Sequence, residues 1–393
     1  MFGWEHRGKL TEVGATSASP LCLPGYGELT DTEAALQLSA VWACIRLLGE
    51  TVGTLPLIVY REQGEAKVRA TEHPLYELLH DAPNADMTAL EFWEGVVVSL
   101  CTEGNAYAQK RRLNGRLVAL EPLRAEAMEV FRTSRGRRRY RYHGVNPIRE
   151  LDEDDVFHVK GFGNGGDVGL SPIAFARLTL YGARMLQRTA AEVAATGNRQ
   201  QGVLTVDAVI KDEAQRQKLR DNVIRPFVEG KTMVLEGGMK FQPTTLSPED
   251  AQMLESRKFS IEEICQWFRV PPFMIGHTEK TTSWGTGLEQ QQIGFLTFAL
   301  EPYLERIEQA IRRSLIEPRD RAAISAEFLT DKLLRADSAA RSTFYAKALG
   351  AGGHRPWMSV NEVRAKENLP KTADGDDMTP PMLAAQGAGN EDA

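Results

Sequence analysis

SPEDAQMLESRKFSIEEICQWFRVPPFMIG (residues 247–276) is followed by the polar run HTEKTTSWGTG (277–287) and then by GLEQQQIGFLTFALEPYLERIEQAI (287–311). Ser247-Pro248-Glu249 reads as a helix start, with Ala251, Leu254, Ile261, Cys265 and Phe268 on one face and Lys258 interrupting that stripe. Pro271-Pro272 ends it, because proline has no amide proton and pushes the residue before it out of the helical region. A second helix is predicted over 288–315, kinked at Pro302. Small and polar residues between two long helices make a projecting loop, and binding groups concentrate on such loops. Its chemistry-bearing residues are His277, Lys280, Thr281, Thr282, Ser283 and Trp284.

Upstream, residues 171–196 form one long helical pattern, with Phe175, Leu178, Gly182, Met185, Thr189 and Val193 on a common face. At 1.5 Å per residue it would reach roughly 39 Å. Between the two long helices the pattern predicts a small α/β unit: strands near 203–206, 232–235 and 239–241, and a helix over 212–228. Nearer the start, residues 1–30 have no period and read as an arm. A helix follows from Thr30-x-x-Glu33, with a stripe of Ala34, Leu38, Val41, Ile45, Leu48 and Val52. A strand is expected over 55–60. Another helix opens at Thr88-x-x-Glu91, turns Phe92, Val96 and Leu100 inward and stops at Gly104-Asn105. Strands over 107–112 and 116–120 flank the turn Leu113-Asn114-Gly115. Further strands are predicted over 137–143, 156–160 and 324–330, and short helices over 336–349 and 359–367. The tail from Pro370 is expected to be mobile. Helices mix with antiparallel strands without strict alternation, which is the α+β class.

The chain has 393 residues, with 47 Lys plus Arg against 53 Asp plus Glu, a formal charge of -6. That balance argues against a protein gripping nucleic acid over its whole surface. Cys22, Cys44, Cys101 and Cys265 lie far apart without metal-ligand spacing and are expected as reduced, mostly buried thiols. No apolar run is long enough for a membrane helix, and the first residues lack a secretory signal's apolar core. Gly161-Phe162-Gly163-Asn164-Gly165-Gly166 matches the dinucleotide fingerprint literally, but the next helix starts too late to face a pyrophosphate, so a flexible glycine hinge is expected. Gly230-Lys231-Thr232 echoes a phosphate loop in the wrong helix-to-strand order. No catalytic constellation, cofactor motif or metal site is read. Arg132, Arg135, Arg137, Arg138, Arg139 and Arg141 cluster around Tyr140 and Tyr142. They read either as a phosphate- or partner-binding patch or as the charged solvent face of a hairpin.

These blocks resemble the portal proteins of tailed bacteriophages and phage-derived gene-transfer particles. The supporting stretches are AVWACIRLLGETVGTLPL (40–57), HPLYELLHDAPNADMTALEFWE (73–94), GNAYA (104–108) and VFHVKGFGNGGDVGLSPI (156–173), and the likeness spans about 30–370. The resemblance implies a multidomain α+β portal fold. It has an arm over 1–30, a wing over 31–170, stem helices over 171–201 and 247–270, and a clip over 202–246. A tunnel loop over 271–287, a kinked helix and wing return over 288–335, a short helical crown over 336–369 and a flexible tail over 370–393 complete it. It also implies a homo-oligomeric ring, typically of twelve subunits, through which double-stranded DNA passes at one capsid vertex during packaging, retention and ejection. The implied partners are the major capsid protein, the large terminase as packaging ATPase and a head–tail adaptor. No enzyme activity, cofactor or membrane contact is implied, and the place is the virion or phage-like particle, assembled in the host bacterial cytoplasm. The competing readings are a minor capsid or adaptor protein, a DNA-binding protein using the arginine hairpin, and a nucleotide-dependent enzyme using Gly161–Gly166 and Lys231.

Overall fold

The computed structural model describes residues 32–64, 66–195, 202–205, 213–214, 217, 240–243, 249–277, 285–330, 338–351, 355–366 and 369–378. The expected arm over 1–30, the central insertion helix and Lys280 to Trp284 of the polar loop lie outside the described residues, apart from a few helical positions at 213–217. The chain divides into two units, Met1–Phe328 and Leu329–Ala393.

In the first unit the opening helix is interrupted. Helix α1 (Thr32–Leu36) stops before α2 (Ser39–Gly53), because Leu38 is extended at φ -75° and ψ 120°. The predicted stripe nevertheless faces inward: Leu38, Val41, Ile45, Leu48 and Val52 are all buried. Strands β1 (Leu57–Gln63) and β2 (Ala66–Arg69) follow, then a short helix α3 (Pro74–Tyr76) running into a π-turn at Glu77–Asp81. Helix α4 (Ala89–Glu103) carries the anticipated capping box: the Thr88 hydroxyl accepts from Glu91 N, and the Glu91 carboxylate accepts from Thr88 N at 2.8 Å. Gly104 ends the helix at φ 72°, a conformation that costs glycine nothing. Helices α2 and α4 cross closely, since a Cβ on Gly53 would lie 2.9 Å from the Leu90 carbonyl oxygen.

The hairpin β3 (Asn105–Leu113) and β4 (Arg116–Leu123) turns at Asn114 and Gly115, both at positive φ. This is the two-residue turn whose twist matches its strands. Then come β5 (Met128–Arg132), β6 (Arg138–Tyr142), β7 (Arg149–Asp152) and β8 (Val156–Lys160). All pairings are antiparallel and build separate sheets, β4-β3-β8 and β5-β6-β7.

The long helix expected over 171–196 is two: α5 (Pro172–Phe175), capped by the Ser171 hydroxyl, and α6 (Arg177–Ala195). The break falls at Ala176, whose ψ of 2° ends the first turn. The buried side of this segment is Ile173, Ala176, Leu180 and Ala183, whereas Phe175 and Leu178 of the predicted apolar face are exposed. Strands β9 (Gly202–Thr205) and β10 (Lys240–Pro243) pair with each other, and α7 (Glu249–Phe268) returns against α6.

The helix predicted over 288–315 is also divided. Helix α8 (Gly285–Phe295) passes through a π-turn at Leu296–Leu300 into α9 (Glu301–Ser314). Strand β11 (Ile324–Phe328) then joins β1 on the edge opposite β2. Trp93 lies at the centre of this unit, 1% exposed, donating Nε1 to the Leu79 carbonyl at 3.0 Å and meeting Phe157 and Phe328 edge-on.

The second unit holds α10 (Ser338–Ala348) and α11 (Val360–Lys366), the latter capped by Ser359 and Glu362. The start of the tail departs from expectation. The buried Asn361 accepts from Thr372 N through its side chain and donates its backbone N–H to the Gly375 carbonyl, both at 2.8 Å. The chain from 370 to 375 is therefore pinned to α11.

Candidate functional site

The polar loop is held at both ends by structured backbone. Arg269, at φ 56°, turns the chain out of α7 into a 3-10 turn at Pro272–Ile275, and His277 N bonds to the Pro272 carbonyl. His277 is thus tied back to that turn. Its ring is 15% exposed and faces the Glu262 carboxylate of α7 at 3.8 Å. On the far side α8 begins at Gly285, so Gly285, Thr286 and Gly287 belong to that helix.

Pro302 sits in the first turn of α9, directly after the π-turn. Lacking an N–H, it leaves the Phe298 carbonyl without its intrahelical donor. Arg269 Nη1 occupies that oxygen at 3.4 Å. One residue at the loop's root therefore touches the irregular turn behind it. Trp267, also on α7, reaches Thr179 of α6 at 3.4 Å.

The arginine cluster lies on the β5-β6-β7 sheet. On one face Tyr140, Tyr142, Met128 and Leu151 are buried against Tyr107 and Val156. The other face matches charge with charge. Arg139 Nε meets Asp152 at 2.9 Å, and Arg141 meets Glu150 at 2.9 Å and Glu129 at 3.1 Å. On the face of Tyr140 and Tyr142, at its edge, Arg132 and Arg138 converge on Asp167, at 2.6 Å and 2.8 Å, which holds its carboxyl down at about 2. Arg135 and Arg137, in the turn, pair with no carboxylate among the described residues.

The Gly161 segment does different work from either sequence reading. Gly161 N donates to the Gly104 carbonyl at 2.8 Å, and a Cβ on Gly169 would lie 2.2 Å from that same oxygen. The glycines permit a close backbone crossing. Asn105 locks it: its side chain accepts from Gly169 N at 2.7 Å and donates to the Gly169 carbonyl at 3.0 Å. Asn105 Oδ1 also faces His158 Nε2 at 3.1 Å, and burial pushes that imidazole well below its ordinary pKa. Nothing in the local sequence marks Asn105, because its partners come from a distant segment. Cys44, Cys101 and Cys265 are free and buried, as expected; Cys22 lies outside the described residues.

The family model for phage portal protein matches residues 39–368. The portal protein of Enterobacteria phage HK97 is 36% identical over 390 residues, covering 95% of this chain and 91% of its own length. The crystal structure of an HK97 family phage portal protein from Corynebacterium diphtheriae superposes with a TM-score of 0.60 at 20% identity, over 80% of this chain and 100% of the other. A chain from the neck of a native gene transfer agent particle, solved with C12 symmetry, gives a TM-score of 0.60 at 22% identity, over 88% and 97%. Mixed helices and antiparallel strands, with two long helices around a strand-paired insertion, have the fold of portal subunits. The chain belongs to the phage portal protein family and is a portal subunit of a capsid vertex.

Proposed function

We propose that the chain closes into a ring, of twelve copies, around a channel through which double-stranded DNA is packaged, retained and ejected. The observation that carries this reading is the set of large apolar side chains left bare on the long helices. Leu178 on α6 is 59% exposed, Phe259 on α7 59%, and Phe298 in the π-turn 71%. Closed rings need a heterologous patch on every subunit, and neighbouring copies would cover these residues. The twelvefold neck of the gene-transfer particle supports the same number.

In this reading α6 and α7 are the stem, β9 and β10 form the base of the clip, and the unit from Leu329 is the crown. The wing comprises the sheets and helices of residues 32–170 and the return through β11. Lys280, Thr281, Thr282 and Ser283 make weak phosphate contacts without register, so that DNA slides rather than binds. Trp284 braces the loop, because duplex DNA offers no exposed base for stacking. Arg135 and Arg137, which pair with no carboxylate among the described residues, face the capsid protein or packaged DNA. The clip meets the large terminase and later the head–tail adaptor, and the subunit resides in the particle after assembly in the host bacterial cytoplasm.

Native mass spectrometry with negative-stain class averages tests the ring. Closed rings with an axial hole are the expected result. A monomer that also fails to enter particles when co-expressed with its capsid protein would overturn it. In assembled particles, Lys280→Ala and Trp284→Ala are then scored by the DNA packaged per particle.

A further inference from the structure

The chain as a whole is acidic, yet one cavity reverses that balance. It lies where β3, β6 and β8 meet the second half of α9 and the turn after it. Its volume is about 460 Å³, and seven Lys or Arg residues line it against three carboxylates. That volume is in the range of small-ligand sites.

The way its cations are held is unusual. Lys110, only 6% exposed, donates Nζ to the Ser314 hydroxyl at 2.9 Å and to the Ser314 carbonyl at 3.3 Å. Lys160 Nζ donates to the Gly166 carbonyl at 3.1 Å and Arg306 Nη1 to the Gly161 carbonyl at 3.0 Å. Arg321 likewise bonds the Ile316 carbonyl at 3.2 Å. Carbonyl dipoles orient a cation but leave its charge uncancelled. Of the cations, Arg138 is held by Asp167 at 2.8 Å and Arg112 lies 3.8 Å from Asp155, whereas Glu317 turns to Arg319 at 2.8 Å and Glu153 is shared between Arg138 and Arg313. The crowding is felt by the groups themselves. Burial and the neighbouring Arg138 and Arg313 lower the Lys160 pKa, and burial together with Arg112 brings Lys110 down to about 8. Gathering like charges in a partly buried site is unfavourable without a counter-charge.

The lining also limits what that counter-charge is. It contains no Phe or Trp, and Tyr140 is 1% exposed with its hydroxyl against His158. A nucleobase has no open ring to stack on. Arginine forks and ammonium groups match compact oxyanions. We propose that this cavity binds a phosphate group, inorganic or from a nucleic-acid backbone, between Arg306, Lys160 and, at the mouth, Arg313. The assignment does not rest on the ring reading.

Titration calorimetry of the full chain with sodium pyrophosphate, at constant ionic strength, tests it. The expected result is one saturable site per chain, weakened about tenfold or more in Arg313→Glu and in Arg306→Gln. The Arg313 side chain is 69% exposed, so its replacement leaves the fold intact and decides the matter if Arg306→Gln does not fold. Absence of saturable heat up to about 10 mM, or an affinity unchanged in Arg313→Glu, would overturn the proposal. A duplex oligonucleotide is the competitor: displacement of pyrophosphate supports the site and assigns it to backbone phosphate, and retention of pyrophosphate supports it with free phosphate as the source.

Discussion

Gly169 shows how little room a single position can leave. A methyl there would lie 2.2 Å from the Gly104 carbonyl oxygen, with Gly161 backbone beside it. Gly169→Ala is therefore expected to destabilise the first unit by about 1–3 kcal/mol, read from the midpoint of urea denaturation. Glu308 is a second instructive residue. It accepts the Phe328 N–H at 2.8 Å, and burial raises its carboxyl to about 7. Between pH 4.5 and 7 the folded chain keeps a proton that the unfolded chain releases, so this group's contribution falls as pH rises through that window. Glu308→Gln preserves an acceptor for Phe328. It should match the parent near pH 4 and exceed it at pH 8 by about 1 kcal/mol, allowing for solvent screening, as measured by denaturation at both pH values. Neither residue announces itself in the sequence. The Gly161 segment suggested a hinge because its crossing partner, Gly104, is remote, and Glu308 looks like one more polar residue on an amphipathic helix.

At the scale of elements, local signals worked where the physics is local. Thr88 and Glu91 close the box predicted for them, and Asn114-Gly115 makes the expected turn. Thr88→Ala should cost about 1 kcal/mol in thermal or urea unfolding, since it orphans an N-terminal donor of α4. Breaks within helices were not visible in the same way. Leu38, Ala176 and the Leu296–Leu300 π-turn each interrupt a pattern whose apolar spacing continues across them, because a helix can shift its hydrogen bonding without losing its buried face. Pro302 did mark the right neighbourhood, but the irregular turn lies on its N-terminal side, where the Phe298 carbonyl lost its donor. The arginines show the limit of counting charge. Six in one short stretch left a binding patch and a charged hairpin face both open, while cross-strand register supplies carboxylates to Arg139 and Arg141 and the segment after β8 supplies Asp167 to Arg132 and Arg138.

For the whole molecule, the order of elements and the family were readable from several long blocks in sequence, whereas the covered side of α6 was not. The stripe containing Leu178 looked like core. In this chain the core side is Ile173, Leu180 and Ala183, and periodicity alone cannot say which apolar face is covered by its own chain. Leu178→Glu separates the two roles. The isolated subunit should change in stability by no more than about 0.5 kcal/mol, while rings disappear from native mass spectra. Equal ring yield in the variant would place the subunit interface elsewhere.

The β9–β10 ladder has a consequence of its own. Lys240 and Thr205 are register partners, so the segment between them begins and ends at adjacent points. Whatever is carried between Thr205 and Lys240 is attached like a cassette on a two-strand handle. An insertion whose two ends are clamped side by side in this way can change in length without disturbing the ladder that holds it.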